Sequence, residues 1–207
     1  KLIKLNIMES ITGTSLIGVR KGTDGLWLEV IAPTAQMTLD TTASRYAVGC
    51  KVRNTADGIN FYNRGTVAVP SWESEIISIT VPMTAAQIIS NYTTSQEIIP
   101  AYAGKIISLI DFVFDLTGTA TQFTGGGVMN LQYGSTANGA GTTLHADIAA
   151  SVITGATARV ITKRIPKDLS AIATASITGL GVYMGTKTAV FATGTGTALV
   201  KVKYQLV

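Results

Sequence analysis

Apolar and polar residues alternate along much of the chain, which is typical of β-strands that bury one face. In LVKVKYQL (199–206), every second residue is apolar and lysines stand between them. In KIISLIDFVFDL (105–116), the alternation predicts that Ile106, Ile110 and the two phenylalanines point inward, with two aspartates opposite. Both stretches are therefore predicted to be strands that line a sheet core.

Other segments repeat this pattern and are separated by Gly, Asn and Asp, which favour turns. The predicted strands cover 26–32, 46–54, 74–82, 128–134, 158–164 and 181–187. Many short strands with little helix predict an all-β fold, an antiparallel β-sandwich of jelly-roll type.

One short helix is predicted near 84–91. There Thr84 can cap the first turn and Gln87, three residues later, can complete a capping box. A second helix over 145–153 is left open, because Val and Ile also suit a strand. The helix and the preceding Pro82 mark a change in organisation, so we expect an N-terminal β lobe over 1–78 and a β-sandwich module over 79–207.

Composition points to a surface with few charges. Charged residues make up 14% of the chain, against about 25% in an average soluble domain. Lys105, Asp111 and Asp115 interrupt the most apolar stretch, so we expect no membrane helix. The N-terminus has no sustained apolar segment of the signal-peptide kind, so a cytoplasmic origin is expected. The single cysteine, Cys50, is expected to be a small buried hydrophobe.

The net charge of +4 raises the question of nucleic acid. The densest basic stretch is RVITKRIPK, with Arg159, Lys163, Arg164 and Lys167. Because no aromatic residues or known binding motif accompany it, we interpret it as a strand edge or contact rim rather than a nucleic-acid site.

Candidate catalytic groups are few. The only histidine, His145, has no nucleophile elbow near it and is expected to be structural. Metal binding by a His/Cys cluster is excluded by count. Asp111 and Asp115 share the outward face of one strand, so an acid/base pair is one hypothesis and solvation is the other. Gly125–Gly127 lead into a strand rather than a helix, which argues against a phosphate loop. We expect a turn or bulge there, joining two antiparallel neighbours.

The order of several short motifs is informative beyond their composition. They are TAAQI (84–88), EIIPAYAGK (97–105), FTGGG (123–127), NLQYG (130–134) and GTGTALVKVKYQLV (194–207). In this order they resemble a group of small virion structural proteins of tailed bacteriophages, over about residues 78–207. The resemblance implies a β-sandwich module on the capsid exterior, as a head decoration or head-fibre protein, often trimeric. It implies no catalytic residues and no cofactor.

Three hypotheses about function follow. The first is a non-enzymatic virion protein, made in the host cytoplasm, that binds the major capsid protein lattice as a homo-oligomer, with a trimer favoured. The second is a tail or fibre module that binds a receptor or a cell-surface glycan. The third is a hydrolase that uses Asp111 and Asp115. The residues expected at an interface or ligand site are Trp27, Tyr62, Trp72, Tyr102, Arg159, Lys163, Arg164 and Lys167.

Overall fold

A computed structural model describes residues 18–32, 46–117, 121–155, 158–167, 170 and 172–207. These residues form two compact units, one ending at Glu75 and the other running from Ile76 to Leu206. The boundary drawn from sequence, after residue 78, falls inside a strand of the second unit.

The first unit is a five-stranded sheet in the order β1-β2-β3-β4-β5. Neighbouring strands are antiparallel, except that β2 and β3 are parallel. Trp27, Tyr46 and Trp72 are buried and meet edge to face, with ring centroids 5.3 and 4.9 Å apart. Cys50 is also buried, as predicted. The strands are β1 Gly18–Lys21, β2 Trp27–Ala32, β3 Tyr46–Asn54, β4 Asn60–Asn63 and β5 Trp72–Ser74.

The second unit contains two four-stranded antiparallel sheets, in the orders β11-β8-β13-β6 and β10-β9-β12-β7. The helices are α1 Ala85–Ser90 and α2 Ala150–Thr154, with single 3₁₀ turns at Ala137–Gly139 and Thr174–Ser176. The strands are β6 Ile77–Met83, β7 Gln96–Ile99, β8 Ile107–Leu116, β9 Met129–Tyr133, β10 Thr142–Thr143, β11 Val160–Arg164, β12 Val182–Thr186 and β13 Ala198–Leu206.

The strand order is that of an eight-stranded jelly roll. Apart from the β9-β10 hairpin, each connection crosses from one sheet to the other. The inward side chains of the central strands β8, β13, β9 and β12 are buried, and the Tyr133 hydroxyl of one sheet donates a hydrogen bond to the Ile107 carbonyl of the other. The predicted antiparallel sandwich is therefore confirmed. The idea that β8 and β9 are neighbours is wrong, because the two strands lie in different sheets.

The predicted helix is also confirmed in its details. The Thr84 hydroxyl accepts the Gln87 backbone N–H, and the Gln87 side chain accepts the Thr84 backbone N–H, which completes the capping box. The second helix exists, but only from Ala150. In the stretch before it, His145 and Ile148 form isolated β-bridges instead.

The glycine run occupies one of the crossings between the sheets. Residues 121–127 lie antiparallel to 189–195, which belong to the crossing from β12 to β13. Gly126 and Gly127 donate hydrogen bonds to the carbonyls of Val190 and Ala189, at 2.9 and 3.0 Å. Gly126 has φ +78°, and a Cβ there would lie 2.1 Å from the Phe191 ring. Glycine is required because two crossings pack directly against each other.

Candidate interaction face

The outward side of the β11-β8-β13-β6 sheet carries a set of opposed charges. Directly paired residues of antiparallel strands point to the same side, so the register defines its members. We call this surface the charged face. It consists of Ile161 and Lys163 on β11, Asp111, Val113 and Asp115 on β8, Leu199, Lys201 and Lys203 on β13, and Ser78, Thr80 and Pro82 on β6. Arg159, directly before β11, belongs to it through its hydrogen bonds to Asp115.

Asp115 is the most enclosed charge of this face. Arg159 donates two hydrogen bonds to the two carboxylate oxygens of Asp115, both at 2.7 Å, and Lys201 Nζ adds one at 2.8 Å. These side chains cover the aspartate, whose side chain is 1% exposed. The hydrogen bonds from Arg159, followed by that from Lys201, hold the pKa of Asp115 well below its usual range.

Asp111 forms the second ion pair, with its Oδ1 3.1 Å from Lys163 Nζ. Lys203 stands directly across from Asp111 in the register and is exposed. The charged face therefore holds four cationic groups and two carboxylates, a formal excess of two positive charges. Arg159 and Lys163 keep 60% and 66% of their side-chain surface exposed despite their pairing.

This arrangement does not suit an acid/base pair. A general acid has to hold a proton near neutral pH, and Asp115 is kept ionised by two cations. Its partner in the hydrolase hypothesis, Asp111, is engaged by Lys163. Within the described ranges, no group of three or more His, Cys, Asp or Glu residues is placed to hold a metal ion.

The basic stretch predicted from sequence divides between two sides of the sheet. Arg159 and Lys163 belong to the charged face, and β11 is an edge strand, as predicted. Arg164 points to the inner side, opposite Phe112, because side chains alternate along a strand. Lys167 lies beyond the strand and is exposed. Lys201 and Lys203 were absent from the predicted site. Their alternation was visible, but only the fold brings β13 beside β8.

The four aromatic candidates do not form one described site. Trp27 and Trp72 are 3% and 5% exposed and form the core of the first unit, so neither presents a ring face to a sugar. Tyr62 is half-buried, with the Arg64 guanidinium 5.4 Å from its ring centroid. Tyr102 is half-buried in the second unit, between β7 and β8. Large aromatic residues are more often core than ligand contacts, and that explanation holds for both tryptophans.

His145 is built into the core of the jelly roll. Its Nε2 accepts a hydrogen bond from the Leu131 backbone N–H at 3.1 Å, and its Nδ1 lies against the Ala146 carbonyl. The ring stacks on Phe112, with centroids 4.3 Å apart. Burial lowers its pKa. These contacts give His145 a packing role and no open side.

On the β10-β9-β12-β7 sheet, the chain itself covers the outward side of β9, whereas Glu97 on β7 is exposed on the same side. Asn130 and Gln132 point outward from β9, yet both are fully buried, because residues 134–141 fold over them. The Gln132 amide donates to the carbonyls of Gly134 and Thr136 and accepts the Gly141 N–H. We call this surface the covered face. The sequence does not reveal this surface, since Asn and Gln within a strand predict an exposed side.

Comparison with known proteins identified no relative of this chain. A scan against protein-family models found no match, and searches of curated proteins and of solved structures found none either. Among the residues that the structure describes, no helix has the length and hydrophobicity needed to cross a membrane. The described part of the chain therefore contains a jelly roll in which the outward side of β9 is covered by a loop and the opposite sheet carries a set of charges that reach solvent.

Proposed function

We propose that this protein is a non-enzymatic structural component of a bacteriophage particle, bound to the exterior of the capsid through its jelly roll. The observation that carries the proposal is the charged face: an open sheet surface of a fold that viral capsid domains share. Fold alone does not determine function. The face adds a surface that is built for contact rather than for chemistry, since its two carboxylates are neutralised in place.

Exposed apolar residues support a binding role. Ile161 lies within the charged face at 59% exposure, and Ile165 just beyond β11 is 85% exposed. Two isoleucines beside exposed cations give an added strand apolar side chains to pack against. The low content of charged residues fits a protein whose surface is partly buried against partners.

The proposed partner is the major capsid protein, and the proposed assembly is a homotrimer. A closed ring of identical chains is the common form of soluble oligomers, and a trimer matches the resemblance in the second unit. Native mass spectrometry of the purified protein tests the oligomeric state. A mass of three chains is expected, and a monomer over the whole concentration range would remove the trimer from the proposal.

Copy number in purified particles tests the function. Particles of the virus that encodes this chain are purified on a density gradient, and the chain is quantified by mass spectrometry against the major shell protein. We expect a ratio near a simple fraction of the shell subunits. A handful of copies per particle would favour a tail or fibre position, and absence from the particle would overturn the proposal.

A glycan-binding role is the second candidate, because lectin domains also use the jelly roll. Burial of Trp27 and Trp72 removes its best sugar-stacking residues, which leaves Tyr62 and Tyr102. A glycan array probed with the wild-type protein and with the variants Tyr62→Ala and Tyr102→Ala separates the two functions. Binding that either variant abolishes would favour the glycan role, and an array without signal would favour the capsid role.

A further inference from the structure

The strand β11 is open along one edge and is held at its C-terminal end, as a docking site for an added strand requires. It pairs with β8 on one side and has no other strand of the described chain on its other side. An edge strand presents unpaired backbone N–H and C=O groups that can pair with an additional strand. At its C-terminal end, Pro166 forms a β-bridge with His145, which anchors the strand.

The side chains along this edge specify the chemistry of the occupant. Arg159, Ile161, Lys163 and Ile165 alternate cation and isoleucine on the outward side, and each is at least 59% exposed. A strand laid beside β11 would place its own outward side chains next to these. Opposite charges and apolar pairs stabilise neighbouring strands, whereas like charges directly opposite destabilise them.

In a second copy of this chain, neither edge strand of this same sheet supplies the required charge. Pairing with the β11 strand of another copy would place the same cations next to one another, which is destabilising. The other edge strand of this sheet, β6, presents Ser78, Thr80 and Pro82 outward, which carry no charge. The excess of two positive charges on the charged face therefore calls for an added strand that carries carboxylates.

We propose that β11 binds an acidic extended segment of a partner protein by strand addition, with carboxylates beside Arg159 and Lys163 and apolar side chains beside Ile161 and Ile165. Backbone pairing would supply affinity, and the alternating side chains would supply specificity. The proposal rests on the proposed role as a binding protein, but it does not require the partner to be a capsid. Failure of the particle measurement and failure of the experiment below are thus distinguishable.

The experiment uses the full-length protein and a synthetic peptide of about ten residues that alternates Glu and Val, in the manner of an added strand. Binding is measured by fluorescence anisotropy. Three comparison ligands are a Lys/Val peptide, a Glu/Val peptide N-methylated at alternate residues, and a short single-stranded DNA. N-methylation removes the peptide N–H groups on one edge and keeps both charge and side chains.

We expect the Glu/Val peptide to bind and the three comparison ligands to bind at least about tenfold more weakly. The variants Lys163→Glu and Ile165→Asp should each weaken peptide binding by about tenfold. Their matched controls are Arg53→Glu and Val69→Asp, which change exposed residues of the first unit and should leave binding unchanged.

Three results would overturn the proposal. An absence of peptide binding to the wild-type protein would do so. Equal binding of the N-methylated peptide would mean that charge alone attracts it, without strand addition. Tighter binding of DNA, weakened by the same variants, would mean that the face takes nucleic acid. Circular dichroism of every variant checks that the sheets are intact, and two independent substitutions guard against misfolding of one.

Discussion

Residues 134–141 of the chain cover the outward side of β9 in the β10-β9-β12-β7 sheet, whereas the central strands of the β11-β8-β13-β6 sheet carry outward charges that reach solvent. Both faces place polar side chains on central strands. Gln132 on the covered face is satisfied by backbone groups, and Asp115 on the charged face by flexible cations. The hydrogen bonds of Gln132 hold residues 134–141 in place. The cations around Asp115 are long side chains that a partner can engage.

The difference has an energetic side. A buried amide that loses its hydrogen-bond partners destabilises the fold by the full free energy of its desolvation. Ion pairs between exposed groups contribute little to the free energy of unfolding. Substitutions on the covered face should therefore affect the stability of the fold, and substitutions on the charged face should mainly affect binding.

The largest loss of stability is expected from Gln132→Leu. The substitution removes the hydrogen bonds to Gly134, Thr136 and Gly141 in a fully buried position, at a cost of about 3 kcal/mol. Urea denaturation followed by circular dichroism measures it. A loss under about 1 kcal/mol would mean that residues 134–141 are held by other contacts and that the two faces do not differ as described.

A smaller loss is expected from Asp115→Asn. Arg159 and Lys201 lose their shared carboxylate but can turn toward water, which limits the cost to about 1.5 kcal/mol. The same variant should also weaken the pH dependence of stability. Because the folded-state pKa of Asp115 is lowered from 3.8, its contribution is present above that pH and is lost as the pH falls below it. The variant should lose part of the acid sensitivity of the wild-type protein below about pH 4, in the same denaturation assay.

His145 gives a pH effect in a different range. Burial lowers its pKa from the ordinary 6.5, so the unfolded chain takes up the proton first. Stability is then full above pH 6.5 and falls as the pH decreases below it, with a slope of at most about 1.4 kcal/mol per pH unit. Denaturation midpoints at about pH 7.5 and about pH 5.5, on either side of the ordinary histidine pKa, measure the effect. Equal midpoints would contradict a buried neutral imidazole, and His145→Gln should reduce any difference.

The smallest effect is expected from Lys163→Met on the charged face. The ion pair with Asp111 involves a lysine that is 66% exposed, so the free energy of unfolding should change by no more than about 0.5 kcal/mol. Thermal denaturation of this variant beside Gln132→Leu compares the two faces directly. A large loss would show that the charged face supports the fold and is not free for a partner.

Local features of the sequence predicted much of this fold. Alternation located the strands, and the spacing of Thr84 and Gln87 located the helix start, because both signals depend on near neighbours. One local error has a physical cause. Ile110 is 40% exposed rather than buried, because the register of β8 against β13 shifts between Leu109 and Asp111. An inserted residue of this kind turns every side chain before it to the opposite face, so Ile107 points inward in place of Ile106.

Features that depend on distant contacts could not be predicted. Alternation does not say which strands pair, so β8 and β9 were placed side by side and Lys201 was not assigned to a site with Arg159. Likewise, nothing near Trp27 and Trp72 in the sequence indicates that Tyr46 packs between them. The covered face escaped notice for the same reason, since burial of Gln132 depends on a loop that returns over it.

Hydrogen exchange of the protein, free and bound to the proposed phage particle, tests the central claim most directly. Peptides spanning 158–165 and 134–141 report on the charged face and the covered face in one experiment. The account predicts that binding slows exchange in 158–165 and leaves 134–141 unchanged, since that segment is already held. Unchanged exchange in 158–165 on a particle that carries the protein would contradict the assignment of the charged face as its binding surface.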